Sequence, residues 1–472
     1  MFFSTLFIFA LSSISLSDVL VVPKNYSSIQ EAINLSSNGD TVKVSPGIYY
    51  ENLIIDGKFL LIKSIGSNEE TIIDGDYQGP VIKCSNIIDG QIIIDGFTIK
   101  NGVGENINGS SFGGGVLSKK SKLFLKNLKI INNSAFAGGG VCFYSTDTFT
   151  FNSIITDVLI QNNSASEGGG IFCVNHPILV ENSNILGNGM DLYGSGGGIQ
   201  ALLSDIELKN VSINDNQTKF GGGIYISNSI GFFEGVEIKN NYSDSKGGGL
   251  WVGGSTELDI IKTVISENYS VGFGSGIFVS VSNLNILNSN IVNNIASSNV
   301  FGAGIYMDGG LSYINNSIIY FNYIENSFNN PNYNLGGYSS SNFIEYDIIY
   351  SNIEGVDSSI FHNGTGIISE NPLFVDSGNG NYELTEYSPC IDAGDPTIHD
   401  NDMTISDIGA YFYNQNSNSG DLNNDSYINV SDIIALINII LLNDYVNNAD
   451  LNNDNTVNIQ DVVVLVNMIL QS

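Results

Sequence analysis

Short runs of alternating apolar and polar residues recur along most of the chain, as in Asp205-Ile206-Glu207-Leu208-Lys209 and Gly235-Val236-Glu237-Ile238-Lys239. A period of two with one apolar side predicts half-buried strands. The runs are punctuated by Gly clusters that begin at Gly113, Gly138, Gly168, Gly196, Gly221, Gly247, Gly274 and Gly302, in steps of 25 to 30 residues. A second marker keeps the same step: Asn133, Asn163, Asn188, Asn216, Asn241, Asn268, Asn294 and Asn322, each preceded by an Ile three positions earlier. A repeat of this length predicts a solenoid. Gly triplets and β-branched residues oppose helix, so each coil should be built of short strands that pair in parallel with the next coil.

The markers have structural tasks. Asn tolerates left-handed backbone, and its amide can bond to its counterpart and to backbone in the neighbouring coil. The Gly cluster allows a turn that side chains would block. At the front, Ser28 and Glu31 have capping-box spacing, which predicts a short helix over the open end of the solenoid.

The stretch from "SIQEAI" through "NGDTVKVSPGIYYENLII" to "TIIDG" resembles the entry into pectate-lyase-like right-handed parallel β-helix proteins. The resemblance implies an all-β right-handed parallel β-helix, the pectin lyase fold, over residues 18–370. Residues 371–413 contain Asn371-Pro372-Leu373-Phe374-Val375-Asp376, Tyr387-Ser388-Pro389-Cys390-Ile391-Asp392-Ala393-Gly394 and Asp407-Ile408-Gly409-Ala410-Tyr411. They resemble the closing segment of β-helix surface proteins that carry alternative C-terminal anchors. Asp392, Asp395 and Asp407 are read there as turn and cap residues.

Composition narrows the chemistry. The formal net charge of −32 disfavours nucleic acid and anionic membranes as partners and suits divalent cations. All sixteen basic residues are Lys, the last being Lys262. The four cysteines, Cys84, Cys142, Cys173 and Cys390, lack framework spacing; Cys142 and Cys173 are one position out of register, and buried free thiols are expected. Residues 1–17 are expected to be a signal peptide, too short to span a bilayer, which makes the mature chain secreted or surface-held with no transmembrane segment.

Past a polar linker at 414–420, residues 421–472 contain two twelve-residue loops whose starts lie 29 residues apart. Oxygen-bearing side chains occupy positions 1, 3, 5, 9 and 12: Asp421, Asn423, Asp425, Asn429 and Asp432 in one, Asp450, Asn452, Asp454, Asn458 and Asp461 in the other. Backbone carbonyls of Tyr427 and Thr456 stand at position 7. This is the spacing of calcium loops of EF-hand type, so two calcium ions are expected. Position 6, usually Gly, is Ser426 or Asn455, which predicts a weaker first site. One apolar helix follows each loop, Ile433 to Leu441 and Val462 to Leu470. The pair resembles a type I dockerin, a small α-helical calcium-binding domain, and the resemblance implies a cohesin-like protein partner.

Three roles remain open for the solenoid: a polysaccharide lyase or hydrolase, a carbohydrate-binding adhesin, or a passive stalk. A lyase or pectin methylesterase that needs Arg is excluded. Lys209, Lys239 and Lys262, beside Glu207, Glu234 and Glu237, are candidate bases or, alternatively, members of solvated ion pairs. Phe143, Phe172, Tyr225, Trp251, Phe278 and Tyr306 form a stripe beside the Gly turns, placed either to stack on sugars or to pack between coils. The composite expectation is a secreted polysaccharide-associated protein tethered through its calcium module.

Overall fold

The structure, a computed structural model, describes residues 17–148, 150, 152–297, 302–325, 334–337, 344–355, 364–415, 420–423, 427–442, 446, 449–452 and 456–471. Among them the solenoid is a stack of parallel coils whose strands form three sheets of 22, 12 and 7 strands. Each regular coil contributes two strands to the first sheet and one to each of the others.

The predicted alternation sets which side chains face inward. In the second sheet Ile73, Ile99, Ile130, Ile160, Ile185, Ile213, Ile238, Ile265, Ile291, Ile319 and Ile353 are register partners from coil to coil. All are fully buried. Removing one such side chain to Ala costs about 2–5 kcal/mol in a core that cannot collapse.

At the corner after this sheet lies the Asn ladder. Asn216 Nδ2 donates to Asn241 Oδ1 at 3.0 Å and to Ile185 O at 2.9 Å, while its own Oδ1 accepts from Asn188 N at 2.9 Å and Nδ2 at 3.0 Å. The same pattern runs from Asn133 to Asn322 and ends on Asn334, which the repeat pattern does not mark. One expectation is corrected here. The ladder Asn do not take up left-handed backbone; the residue before each one does, as at Asn132, Asn162, Asp215, Asn240 and Asn293. The left-handed residue turns the chain, and the buried Asn behind it ties the turn to its neighbours.

The first Gly of each cluster is left-handed, with φ of +65° at Gly138 and +63° at Gly221. The following ones let coils approach: a Cβ at Gly222 would lie 2.4 Å from the Gly248 carbonyl oxygen. A second polar ladder escaped the sequence reading. Ser204 Oγ accepts His176 N, Ser229 Oγ accepts Ser204 N, and Ser282 Oγ accepts Thr256 N. Within this ladder His176 Nε2 lies 2.9 Å from Ser153 Oγ and its ring stacks on Phe143; burial pushes its pKa down to about 3.

The predicted cap helix is Ile29–Leu35 (α1), and it buries Ile29, Ala32 and Ile33 over the open end. Ser28 Oγ accepts Glu31 N as expected, and Glu31 Oε2 accepts the N–H and hydroxyl of Ser27. Cys84, Cys142, Cys173 and Cys390 are buried free thiols. Cys173 belongs to the inner core and Cys142 to an outer cluster with Phe172, so the two do face opposite ways.

The closing segment adds no further coil. Tyr382, Leu384, Cys390 and Ile408 pack on Val264, Val292, Ile318 and Tyr320, the outer face of the second sheet. An antiparallel pair, Phe374–Asp376 with Asn381–Leu384, stiffens it.

Candidate metal centres and the grooves of the solenoid

The expected turn and cap acids behave as such. Asp407 Oδ1 accepts Asp392 N at 2.8 Å and its Oδ2 accepts Tyr413 N at 2.6 Å; Asp395 Oδ1 accepts Thr397 N. Burial and the neighbouring Asp400 and Asp392 charges push Asp407 up to about 6, against these two donors. Of these acids Asp400 and Asp407 line part of a 760 Å³ groove that also includes Lys262, His399 and Tyr411. Asp407 engages both oxygens with backbone N–H groups, and Asp400 Oδ2 accepts Asp407 N, so the two carboxylates are tied into the turns of the closing segment.

The lysine trio is not one constellation. Lys209 pairs with Glu207 at 2.6 Å on the first sheet. Lys239 is on the second sheet and pairs with Glu267 at 3.3 Å rather than with Glu237. Lys262 faces the closing segment, where its charge acts on Asp400. The aromatic stripe is also revised: Phe143, Phe172, Phe278 and Tyr306 are buried, and only Tyr225 and Trp251 are half-buried. Tyr225 stacks on Trp251 at 4.0 Å between ring centroids, and Phe278 on Tyr306 at 5.8 Å.

The two C-terminal loops share one design. Asp432 is fully buried; its Oδ1 accepts Leu422 N at 2.8 Å and Asn423 N at 3.2 Å, and its Oδ2 accepts Asn429 N at 2.9 Å. Asp461 repeats this with Leu451 at 2.8 Å, Asn452 at 3.2 Å and Asn458 at 2.7 Å. Burial opposes the charge on Asp432, but the N–H groups of Asn429, Asn423 and Leu422 outweigh it and hold the carboxyl below its ordinary range.

Asn429 and Asn458 cap the helices, accepting Ser431 N and Gln460 N at 2.8 Å each. The helices therefore run Val430–Leu442 (α2) and Ile459–Gln471 (α3), three residues earlier than the apolar run suggests. Each position-12 Asp sits in the first turn and reaches back to the cap residue, as in a capping box. Tyr427 O accepts Asn429 Nδ2, and Thr456 Oγ1 accepts Asn458 Nδ2. Asp425 and Asp454, with Ser426 and Asn455, lie outside the described residues. Among the described residues no group of three or more His, Cys, Asp or Glu side chains is arranged to hold a metal ion.

Residues 419–470 match the family described as Dockerin type I domain. This part of the chain is a dockerin. Dockerins of this type bind calcium, and the donor set fits that ion. Asp421, Asp432, Asp450 and Asp461 are buried, while the domain contains no Lys, Arg or His. Buried carboxylates need a counter-charge, and oxygen-only donors select a hard cation. A carboxylate offers about four lone-pair directions, so the three N–H bonds to Asp432 leave room for an ion.

Two curated proteins match part of the chain, both from Dictyostelium discoideum. Metabotropic glutamate receptor-like protein P is 25% identical over 263 residues, 49% of this chain and 18% of that protein. Metabotropic glutamate receptor-like protein R is 26% identical over 26% of this chain and 10% of that protein. The chain thus spans less than a fifth of the length of either. Among solved structures, a pectate lyase aligns at a TM-score of 0.42 and 14% identity, covering 85% of this chain and 98% of its own. The A-module of a mannuronan C-5 epimerase from Azotobacter vinelandii aligns at 0.36 and 11%, covering 66% and 91%.

Proposed function

We propose that the chain is an exported polysaccharide-associated protein whose dockerin, loaded with two calcium ions, tethers a glycan-binding solenoid to a cohesin-bearing partner at a cell surface. The observation that carries this reading is the duplicated loop, in which buried acids with no cationic side chain in the domain are pre-arranged by the same three backbone N–H groups. Asp421, Asn423, Asp425, Asp432 and the Tyr427 carbonyl would hold one ion, with Asn429 acting from the cap position. Asp450, Asn452, Asp454, Asp461, the Thr456 carbonyl and Asn458 would serve the other. The ion supplies the missing counter-charge and locks each loop against its helix.

Binding rather than cleavage suits the solenoid, because Lys209 and Lys239 are spent in ion pairs and Asp395 and Asp407 on backbone donors. Residues 1–17 would direct export. No helix among the described residues is long and apolar enough to cross a membrane. The test is capture of the full chain on a panel of immobilised cohesins in calcium and in chelator, with calorimetry for the ion count. Calcium-dependent capture with two ions bound is expected; capture indifferent to chelator would overturn the tether.

A further inference from the structure

The sugar-binding reading does not say where on the solenoid a glycan lies or what kind it is. A shallow groove of 340 Å³ at the turn between the third and first sheets answers both. It is within the size range of ligand sites, about 300–1,000 Å³. Its lining comes from five successive coils, from Ser195 through Tyr225 and Trp251 to Ser280 and Asp308. At about 4.8 Å per coil the groove extends roughly 19 Å along the solenoid axis. A long, shallow groove suits a linear polymer rather than a compact metabolite. Its floor is a sheet face, with no open strand edge on which a peptide could pair.

The side chains specify the polymer. Tyr225 and Trp251 stack with planes 5° apart and stay half-buried, so their rims form an apolar ledge. The indole reaches over Gly253, where a Cβ would come within 2.3 Å of the ring. Beside it Lys246 Nζ sits 4.5 Å from the Phe278 centroid and 5.7 Å from that of Phe273. Among the described residues Lys246 makes no ion pair, although the chain is strongly acidic. Ring faces hold this ammonium in place while its N–H donors stay available. The other charge lining the groove is Asp308, two coils further on, an acceptor for hydroxyls that would repel a second anion. Glu167, whose charge acts on Tyr225, repels anions at the opposite end.

Resting on the polysaccharide reading, we propose that this groove binds a linear glycan with isolated acidic groups on an otherwise neutral backbone, one carboxylate or sulfate seated on Lys246 and neighbouring sugars on the Tyr225–Trp251 ledge. A continuous polyuronate would bring an anion against Asp308 and Glu167.

The test uses the calcium-loaded full chain and affinity electrophoresis with four probes: glucuronoxylan, the same polymer with its carboxylates reduced to alcohols, a lightly sulfated neutral glycan, and polygalacturonate. Glucuronoxylan should bind about tenfold more tightly than its reduced form, the scale of one charge-assisted hydrogen bond. Lys246→Gln should erase that difference, and Lys246→Arg should keep it. Trp251→Phe, which preserves packing, should weaken both forms. The sulfated probe decides which anion is preferred, and binding of either kind through Lys246 supports the site. Tighter binding of polygalacturonate, or indifference to Lys246→Gln, would overturn the acidic assignment. Glycan binding that survives both Lys246→Gln and Trp251→Phe would remove this groove and leave the polysaccharide reading standing. No binding to any glycan would end both.

Discussion

The ladder Asn shows how much one side chain can contribute when both its ends are buried. Asn216 takes part in two donated and two accepted bonds. Asn216→Ala therefore strands partners in the coils on both sides, each buried unsatisfied group costing about 1–3 kcal/mol. Denaturant unfolding should show a loss of about 3 kcal/mol or more. Asp205→Ala, exposed just before the next strand and without left-handed backbone, should change stability by less than about 0.5 kcal/mol. His176 offers a test of opposite character. Its folded pKa of about 3 lies below the unfolded value near 6.5, so the folded state resists protonation. Stability from this group is intact above about pH 6.5 and falls as pH drops from there toward 3. His176→Gln should flatten that decline in chemical denaturation series across this range, against the background of the carboxylates. The period marked every ladder Asn as structural, but it could not show that the strained backbone lies one residue upstream. Asn, Asp, Gly, Glu and Phe all occupy that neighbouring position, so composition there carries little information.

At the scale of elements, the loop and its helix are one unit rather than two. Asp432 and Asp461 close the loop, cap the helix and remain candidate ligands, all from one buried carboxylate. Asp461→Ala should abolish binding at the second site and unwind the first turn of α3. Circular dichroism should show helix loss that added calcium does not recover. Asp461→Asn keeps acceptors for part of the N–H set and should retain more apo helix while still losing the ion. The oxygen spacing was legible in the chain because ligation imposes fixed positions. The helix starts were not, since Val430 and Ile459 read as loop until their cap residues are seen. The aromatic stripe was half legible: period placed the rings beside the turns, but only three-dimensional stacking separates buried Phe278 and Tyr306 from the half-buried pair. The groove acids of the closing segment and the fold of that segment onto the second sheet depend on contacts up to 120 residues apart, such as Asn290 with Ala410. No local pattern encodes those.

For the whole molecule, the two parts are stabilised by different physics. The solenoid rests on buried aliphatic stacks and uncharged ladders, whereas the dockerin has a small core around Leu436, Ala449 and Leu465 and buries Asp421, Asp432, Asp450 and Asp461 in its loops and first helical turns. Calorimetry should therefore resolve two transitions. The one belonging to the dockerin should rise with calcium by the logarithm of free ion over dissociation constant and collapse in chelator. The solenoid transition should stay within a degree or two in both. A single transition that moves as a whole with calcium would mean the ions also bind the solenoid.

The Asn ladder has one more consequence, for how such a chain can change length over generations. Coils differ in span, yet from Asn133 to Asn322 each presents the same donor to the next and the same acceptor to the last. Excising the stretch between two ladder residues, such as 189–216, would bring Asn188 to face Asn241 with the bonding pattern intact. Each coil is thus an interchangeable segment, and duplication or loss of one by recombination shifts the reach of the protein by about 4.8 Å without scrambling the register of the rest.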